Sequence, residues 1–300
     1  MAISRAQLVK ELEPGLNALF GLEYNRYENE HAEIFSSETS DRAFEEEVML
    51  SGFGSAPVKS EGAGVTFDDA QESFTARYTH ETIAMAFAIT EEAIEDNLYD
   101  RLAGRYTRAL ARSMANTKQV KAANVLNNAF GTANGGDGKA LCADDHPIVA
   151  GTDRNELSTA ADLNETSLEQ SLIDIAAMTD ERGLKIAAQG TKLIIPSALQ
   201  FTAERLMKSA GRVGTADNDI NAVVSKGMIP QGYVVNHYLT DTDAFFIKTD
   251  VPNGLKHFVR APMKTAMEGD FTTGNVRYKA RERYSFGFSD WRGIFGSPGA

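Results

Sequence analysis

The stretch that decides the fold is residues 83–130, and it opens with IAMAFAITEEAIEDNLY at residues 83–99. Up to Ile89 every second residue is large and apolar, and this period of two predicts one face of a β-strand. The pattern changes at Thr90, a residue type that caps helix N-termini, and two glutamates follow where a helix favours negative charge. The sequence therefore predicts a strand that leads directly into a helix.

The predicted helix is long, because apolar residues recur at every fourth position and the stripe continues to Phe130. Gly131 follows, and glycine commonly ends helices. A helix of about 40 residues would span roughly 60 Å. It is either one continuous helix in an elongated subunit, as in proteins that form assemblies, or a core helix broken near Gly104. The recurring residues are Ile94, Leu98, Leu102, Tyr106, Leu110 and Met114.

The composition is that of a globular protein with a sizeable core. The chain has 300 residues, of which 42% are hydrophobic, and no apolar run approaches the roughly 20 residues of a membrane helix. The first residues lack the apolar region of a secretory signal. Cys142 is the single cysteine, which excludes an intramolecular disulfide and a cysteine-based zinc site. Synthesis in a reducing cytosol is expected.

The charge is unevenly distributed along the chain. The net charge of −12 argues against a protein that coats nucleic acid, because phosphate binding needs concentrated Lys and Arg. Residues 1–50 carry a net charge of −7, whereas residues 255–292 carry +4. Both segments could be ordinary solvated surface. Alternatively, an acidic arm meets a basic face on the same or a neighbouring subunit and sets its orientation.

Residues 47–89 predict a long two-stranded hairpin. Alternating segments at 65–67 and 74–78 follow the turn-rich sequences SGFGSAP and EGAG. An isolated hairpin is only marginally stable in water. This hairpin therefore either folds against its own core or rests on something outside the subunit.

Residues 131–164 form a long polar connection without clear periodicity. Asp144, Asp145 and His146 are metal ligands by residue type, but consecutive residues seldom converge on one ion and the sequence shows no second cluster. The favoured interpretation is a structured turn before Pro147, in which the Asp side chains bond to backbone groups.

The other segments predict short helices and strands, with residues 180–250 able to form a sub-domain. Pro14 and Gly15 are expected to split the first helix, and residues 297–300 are expected to be a frayed tail. The predicted helices are 4–24, 165–178 (capped by Asn164 or Thr166) and 197–207, and strand character appears near 192–196, 223–235 and 244–248.

The last predicted strand, residues 276–288, has one apolar face and one basic face. Its apolar residues occupy even positions, and Arg277, Lys279, Arg281 and Arg283 occupy odd ones. The basic row is either a solvated face or the counterpart of an acidic partner, since like charges two residues apart repel.

Signatures of enzymes are absent from the sequence. It contains no GxGxxG after a strand, no P-loop, no HExxH and no GxSxG. No acidic pair has a spacing typical of acid–base catalysis. We therefore predict a protein that is not an enzyme, with no catalytic, cofactor-binding or metal-binding residues and no cofactor.

Four segments together resemble a known family. They are AMAFAITEEAIEDNLY (84–99), LCADDHP (141–147, with Gly151 and Asn155 beyond it), LIIPSAL (193–199) and GFSDWRG (287–293). They resemble tailed-phage major capsid proteins of the HK97 fold, and within these the Mu-like major head subunit group. The resemblance covers most of residues 40–295.

The resemblance implies an α+β, HK97-like capsid fold with an N-arm, an E-loop hairpin, a P-domain with a long spine helix, and an A-domain. The implied parts are an N-arm at 1–45, an E-loop at 46–85, a P-domain with the spine helix at 86–180, an A-domain at 181–250, and a return to the P-domain with the C-terminal strand at 251–300.

The resemblance also implies a function and partners. The expected function is a major capsid protein that self-assembles, through pentamers and hexamers, into the icosahedral shell enclosing phage DNA. Expected partners are copies of itself, a separate scaffold and a portal, with a decoration protein as an optional addition, and with no membrane and no sequence-specific DNA binding. The protein would be made in the host bacterial cytoplasm and reside in the virion capsid.

Two other functions remain as alternatives. One is an encapsulin-like, non-viral shell protein of the same fold, and the other is a metal-dependent enzyme using Asp144, Asp145 and His146.

Some members of the family crosslink an E-loop lysine to a neighbour's asparagine, and Lys59 is the candidate lysine for such a bond in this chain.

Overall fold

Helices and strands are mixed along the chain. The computed structural model describes residues 5–26, 28–90, 92, 99–132, 135–211, 219–270 and 274–300. The helices are α1 (Arg5–Tyr24), α2 (Glu30–Ile34), α3 (Tyr99–Asn127), α4 (Glu165–Ala177), α5 (Gln200–Lys208) and α6 (Ala222–Lys226). The strands are β1 (Ser36–Thr39), β2 (Phe44–Leu50), β3 (Glu72–Thr79), β4 (Glu81–Ile89), β5 (His146–Ile148), β6 (Gly151–Asp153), β7 (Gly190–Ile195), β8 (Tyr233–Val235), β9 (Phe245–Thr249), β10 (Leu255–Gly269), β11 (Val276–Phe288) and β12 (Ile294–Ser297). The mixture confirms the predicted α+β class.

One sheet carries the two longest strands. Its order is β1-β10-β11-β4, with β1 parallel to β10 and the other pairs antiparallel. The predicted strands at 83–89 and 276–288 are both confirmed as members of this sheet. Helices α1 and α3 cover the face that bears Tyr278 and Ala280, and their inward residues include Leu16, Phe20, Leu110, Ala111 and Met114.

The long helix α3 is continuous over residues 99–127, so the alternative with a break at Gly104 is wrong. A Cβ at Gly104 would lie 3.6 Å from Cδ2 of Leu19, which places this glycine where α1 packs on α3. The 29 residues of the helix span roughly 43 Å at ~1.5 Å per residue. The predicted first turns, including Glu91, Ile94 and Leu98, lie outside the described residues.

The predicted helix end just before Gly131 is wrong by three residues. Helix α3 ends at Asn127, and the chain then turns. The Asn128 amide and side chain donate to the Asn124 carbonyl at 3.2 and 2.8 Å, and the Ala129 amide donates to the Leu126 carbonyl at 3.0 Å, so the turn itself satisfies this helix end. A left-handed glycine is not needed when the next residues donate to the last helical carbonyls.

Helix α1 is also continuous, although Pro14 lies inside it. The expected split is therefore wrong. Proline removes one helical hydrogen bond, and the buried side chains of Leu16 and Phe20 hold the helix on α3. Leu8 and Leu12 of the same predicted face have side chains outside the described part of the chain.

A second sheet has the order β12-β9-β7-β8, and three of these four strands come from the middle of the sequence. Helix α4 begins at a capping box, in which the Asn164 side chain accepts from the Ser167 amide at 2.9 Å, and this confirms Asn164 as the cap. The strand predicted near Val223 is wrong, since α6 forms there. The Asn221 side chain caps α6, and Gly227 ends it with a φ of 60°.

The expected frayed tail is wrong as well. Strand β12 pairs with β9, and Ser297 is fully buried. The Ser297 hydroxyl donates to the Ala161 carbonyl at 2.8 Å. The C-terminal residues therefore complete the second sheet.

Candidate functional site

Strands β2 and β3 form a separate two-stranded hairpin. At its base the Tyr78 ring lies edge-on to Phe258, with ring centroids 4.8 Å apart, and the Tyr78 hydroxyl bonds to Ser289. The base therefore folds against the subunit's own core. The predicted alternation at 65–67 does not form a strand, because the 51–71 segment between β2 and β3 is irregular.

The loop from 51 to 71, here called the hairpin loop, exposes large apolar side chains. Val58 is 99% exposed and Phe67 is 93% exposed. Phe53 and Val65 are also exposed. Clusters of exposed apolar residues in a folded protein typically mark an interaction site. Lys59, the candidate for crosslinking, lies exposed on the same loop.

Polar contacts hold this loop beside residues 179–184. Arg182 donates to Asp68 at 2.7 Å, and the other Asp68 oxygen accepts from the Gly54 amide at 2.7 Å. Ser73 on β3 donates to Glu181 at 3.0 Å. The hairpin loop is thus tied to its own subunit through polar side chains while its apolar groups face solvent.

Glu181 belongs to a buried charged cluster around Arg292. The Arg292 guanidinium donates to Glu181 at 2.9 Å, to Asp290 at 3.3 Å and to the Thr179 carbonyl at 2.7 Å. It also lies 4.2 Å from the Trp291 ring centroid. Burial raises the pKa of Asp290, although Arg292 opposes this. Neither Glu181 nor Arg292 was singled out as a buried ion pair by the sequence, because isolated charges in a polar segment give no signal of burial.

The candidate metal ligands do not converge. His146 is fully buried, whereas Asp144 and Asp145 are exposed. The His146 ring donates from Nδ1 to Asp137 at 2.6 Å, contacts the Asn155 side-chain oxygen through Nε2 at 3.1 Å and stacks on Trp291. The described residues contain no group of three or more ligand side chains that could hold a metal ion. The proposed Asp144–Asp145–His146 site is therefore wrong.

Asn155 organises the turn in place of the predicted aspartates. Its amide nitrogen contacts the carbonyls of Leu141, Trp291 and Ile294 at 2.7–3.0 Å. Its oxygen accepts from the Ala143 amide at 3.0 Å. Burial would raise the pKa of Asp137, but hydrogen bonds from His146 and the Lys139 amide lower it below the ordinary value. This connection is structured, as expected, but by Asn155 and Asp137.

The acidic N-terminal segment meets part of the basic C-terminal segment within the same subunit. Lys256 pairs with Glu38 at 3.1 Å and with Glu47. Burial lowers the pKa of Lys256, but the two carboxylates outweigh it and the net shift is upward. Glu33 pairs with Lys192 on β7 and Glu30 with His237 just after β8, so this segment also binds the second sheet and the residues that follow it.

The basic row on β11 is not neutralised by that segment. Even-numbered residues from Val276 to Tyr284 are buried, which confirms the predicted apolar face. Arg277 pairs with Asp270 at 2.5 Å. Within the described residues, the side chains of Lys279 and Arg281 have no hydrogen-bond or ion-pair partner.

A buried pair of histidines joins the N-terminal segment to the body. His31 on α2 and His257 on β10 are 5% and 2% exposed, and their ring centroids are 5.3 Å apart. His31 Nδ1 and His257 Nε2 have no hydrogen-bond partner among the described residues. Burial, followed by the nearby charge of Lys118, lowers the pKa of His31 to about 4 and that of His257 to about 3.

Two further observations concern the single cysteine and the hydrophobicity of the helices. Cys142 is buried, and burial raises the pKa of its thiol well above the ordinary value. No helix in the described ranges combines the length and hydrophobicity that crossing a bilayer requires.

A long helix on a sheet, a two-stranded hairpin and a second mixed sheet make up this architecture, and several solved structures of capsids and virus-like particles share it. The chain matches the virus-like particle from Pyrococcus furiosus (12% identity, 94% of this chain and 97% of that chain, TM-score 0.52). It also matches the capsid of an empty GTA particle (14% identity, 90% of this chain and 89% of that chain, TM-score 0.57). A third match is the capsid of Myoviridae phage XM1 (10% identity, 89% of this chain and 89% of that chain, TM-score 0.52). The fold is that of HK97-type capsid proteins.

The family model of phage capsid proteins matches residues 72–296, three quarters of the chain, so this chain belongs to the phage capsid protein family. No curated protein sequence matches it. Its function is that of a major capsid protein, which associates with copies of itself in the shell of a virion. The family match does not favour the encapsulin-like alternative. The matched family consists of structural proteins of the phage capsid.

Proposed function

We propose that this protein is the major head subunit of a tailed phage, allied to the Mu-like group, and that it forms pentamers and hexamers of an icosahedral shell around genomic DNA. The observation that carries the proposal is the hairpin loop, whose apolar side chains are left in water by the single subunit. A neighbouring subunit would bury them. Closed head-to-tail contacts of this kind generate rings, and a container needs no catalytic residue, cofactor or metal.

We further propose the division of the chain into functional parts. Residues 1–45 act as the N-arm and 46–85 as the E-loop. Residues 86–180 and 251–300 build the P-domain, and 181–250 the A-domain around the symmetry axes. The pairing of β12 with β9 adds a strand from the last segment to the A-domain sheet.

The proposed partners follow from the same function. The subunit is made in the host cytoplasm and assembles with a separate scaffold and a portal, and a decoration protein can bind the finished shell. An acidic subunit suits a container into which DNA is pumped, because a strongly basic lining would retain it.

Deleting residues 52–64 is expected to leave a folded subunit that does not form stable shells. The hairpin should still close, because the Ser51 amide donates to the Gln71 carbonyl at 2.8 Å and the Gln71 amide to the Ser51 hydroxyl at 2.9 Å. The deletion removes Phe53 and Val58 from the proposed contact. Microscopy and sedimentation of protein expressed with its neighbouring genes would measure the assembled fraction, which we expect to fall at least tenfold.

The control is Val149→Ser, which changes an exposed apolar side chain outside the hairpin. It should assemble as the unaltered protein does. Normal shells from the deletion variant would contradict the proposed role of the hairpin. Circular dichroism and the melting temperature would show that the deleted subunit is folded.

A further inference from the structure

The hairpin loop has no helix or strand of its own to hold it in one conformation. Its sequence adds to its freedom, because glycine loses more conformational entropy on ordering than any other residue. The glycines of the loop are Gly52, Gly54, Gly62 and Gly64. Fixing such a loop at the moment of binding weakens the binding, unless contacts inside the subunit have already ordered it.

The Asp68 side chain supplies such contacts. One of its carboxylate oxygens accepts from the amide of Gly54, on the segment that leaves β2, at 2.7 Å. The other oxygen accepts from the Arg182 guanidinium at 2.7 Å. The Gly54 amide and then Arg182 lower the pKa of Asp68, so the carboxylate is ionised at neutral pH. We call Asp68, with its bonds to Gly54 and Arg182, the clamp.

Arg182 offers a fixed point to the clamp. The Asp180 carboxylate accepts from the amides of Arg182 and Leu184 at 2.9 and 2.8 Å, which closes a tight turn around Arg182. The neighbouring Glu181 is bound by Arg292 in the buried cluster. The Arg182 side chain is only 20% exposed. The clamp therefore connects the hairpin loop to the core of the subunit rather than to another mobile surface group.

The clamp leaves the apolar side chains of the hairpin loop in water. Phe67, next to Asp68 in the sequence, is 93% exposed, and Val58 is 99% exposed. A contact that kept the loop away from partners would cover these side chains. This contact instead fixes the backbone that carries them and holds them outward, which favours assembly.

We propose that Asp68 and Arg182 are positioning residues for assembly, because the clamp orders the hairpin loop before the loop meets another copy. The inference rests on the proposed function and adds the residues within the subunit that prepare the loop. An exposed ion pair contributes little to the stability of a folded protein. The effect of the clamp therefore belongs to the assembly step and not to the unfolding of the subunit.

Replacing Arg182 tests the clamp with two measurements. Arg182→Met keeps much of the side chain and removes its charge. In the unassembled subunit, amide hydrogen exchange in the hairpin loop is expected to become at least about fivefold faster, with an unchanged melting temperature. After expression with the neighbouring genes, the fraction of subunits that sediment as shells should fall at least about fivefold. Arg182→Lys keeps a cation beside Asp68 and should restore most of the assembly.

Two further variants make the result specific. Asp68→Ala should reduce assembly at least as much as Arg182→Met, because the bond from Gly54 is lost too. Adding Arg182→Met to Asp68→Ala should cause no further loss, since both residues act through one contact. Lys185→Met is the matched control. This exposed lysine follows the same turn, and its side chain forms no hydrogen bond or ion pair with a described residue, so exchange and assembly should not change.

The outcomes separate the clamp from the proposed function. If the unaltered chain forms no shells with its neighbouring genes, the proposed function fails, and this inference fails with it. If the unaltered chain assembles and Arg182→Met loosens the loop without reducing assembly, the positioning role is wrong. Unchanged exchange in the loop of Arg182→Met would show that the ion pair does not order it. An equal loss of assembly in Lys185→Met would assign the effect to surface charge and overturn the clamp as well.

Discussion

Replacing Arg292 with Met is expected to lower the free energy of unfolding by about 3–5 kcal/mol, the usual cost of removing one partner from a buried ion pair. The Arg292 side chain is 3% exposed, as is that of Glu181. The substitution would leave the Glu181 carboxylate buried without its cation, and the Thr179 carbonyl would lose its donor. Methionine keeps much of the side-chain volume, so the loss reports charge and hydrogen bonding more than packing.

Urea unfolding of the unassembled subunit at pH 7 would measure this loss. Adding Glu181→Gln to Arg292→Met should recover part of the stability, because no unpaired carboxylate then remains at that position. Arg205→Met is the control, since this exposed arginine contacts the Thr202 hydroxyl at 3.4 Å and should contribute less than about 0.5 kcal/mol. A loss below about 1 kcal/mol for Arg292→Met would show that the cluster is not a source of stability.

The cluster also joins three distant parts of the chain. Glu181 binds Ser73 of the hairpin and Arg292 of the C-terminal segment. We therefore expect Arg292→Met to increase amide hydrogen exchange in β3 as well as near residue 292. Unchanged exchange in β3 would confine the effect of Arg292 to its own segment.

Acidification is expected to weaken the attachment of the N-terminal segment through His31 and His257. Their pKa values of about 4 and about 3 lie below the usual value of ~6.5. Between pH ~6.5 and ~3 the unfolded chain therefore binds more protons than the folded one, and stability is lost as the pH falls through this window. Each such histidine lowers the free energy of unfolding by at most ~1.4 kcal/mol per pH unit. Once opposing groups are included, we expect the free energy of unfolding to fall by about 3 kcal/mol between pH 7 and pH 4.5.

The groups around the histidines explain the direction and the reduced size of the effect. Lys118 on α3 lies close enough to oppose a second positive charge, and it pairs with Glu282 at 3.4 Å. Tyr24 on α1 donates to Glu282 at 3.1 Å, and Ser37 on β1 contacts His257 Nδ1 at 3.0 Å. Burial raises the pKa of Glu282, whose protonation therefore offsets part of the loss on acidification. Two buried histidines outweigh this one carboxyl group.

The test compares urea unfolding of the unassembled subunit at pH 7.0, 5.5 and 4.5. The His31→Phe, His257→Phe variant should lose much less stability on acidification, because phenylalanine fits beside Phe35 and Phe286 and does not titrate. Phe286→Leu is the matched control. It loosens the same cluster without removing a titratable group, so its loss should be equal at each pH. A histidine double variant as acid-sensitive as the unaltered protein would refute the role of these residues.

Regular patterns were predictable from the sequence, and contacts between distant segments were not. Alternation from Val276 to Tyr284, interrupted only by Glu282, predicted the correct face of β11. Its partner β10 was not predicted, because Pro262 and register shifts near Ala261 interrupt its pattern. The helix α6 did have a local signal, in Asn221 before it and Gly227 after it, which the valines at 223 and 224 obscured.

The same distinction applies to the candidate site. The hairpin and the basic row followed from composition and period, so the hairpin that carries the proposed assembly was predictable. Asn155, Glu181 and Arg292 act through partners more than 100 residues away, for example Asn155 with Trp291 and Arg292 with Glu181. A single sequence contains no information on which polar residue will find such partners, and their burial is a property of the folded chain.

The pairing of β12 with β9 has a consequence for synthesis on the ribosome. The sheet formed by β7, β8 and β9 lacks one edge strand until residue 297 has been translated, and the bond from Ser297 to Ala161 forms at the same late stage. Long-range strand pairing of this kind is slow compared with local helix formation. The edge on β9 therefore stays open from the synthesis of Thr249 until Ser297 has been translated. Completed chains alone would present the ordered surfaces that a growing shell selects.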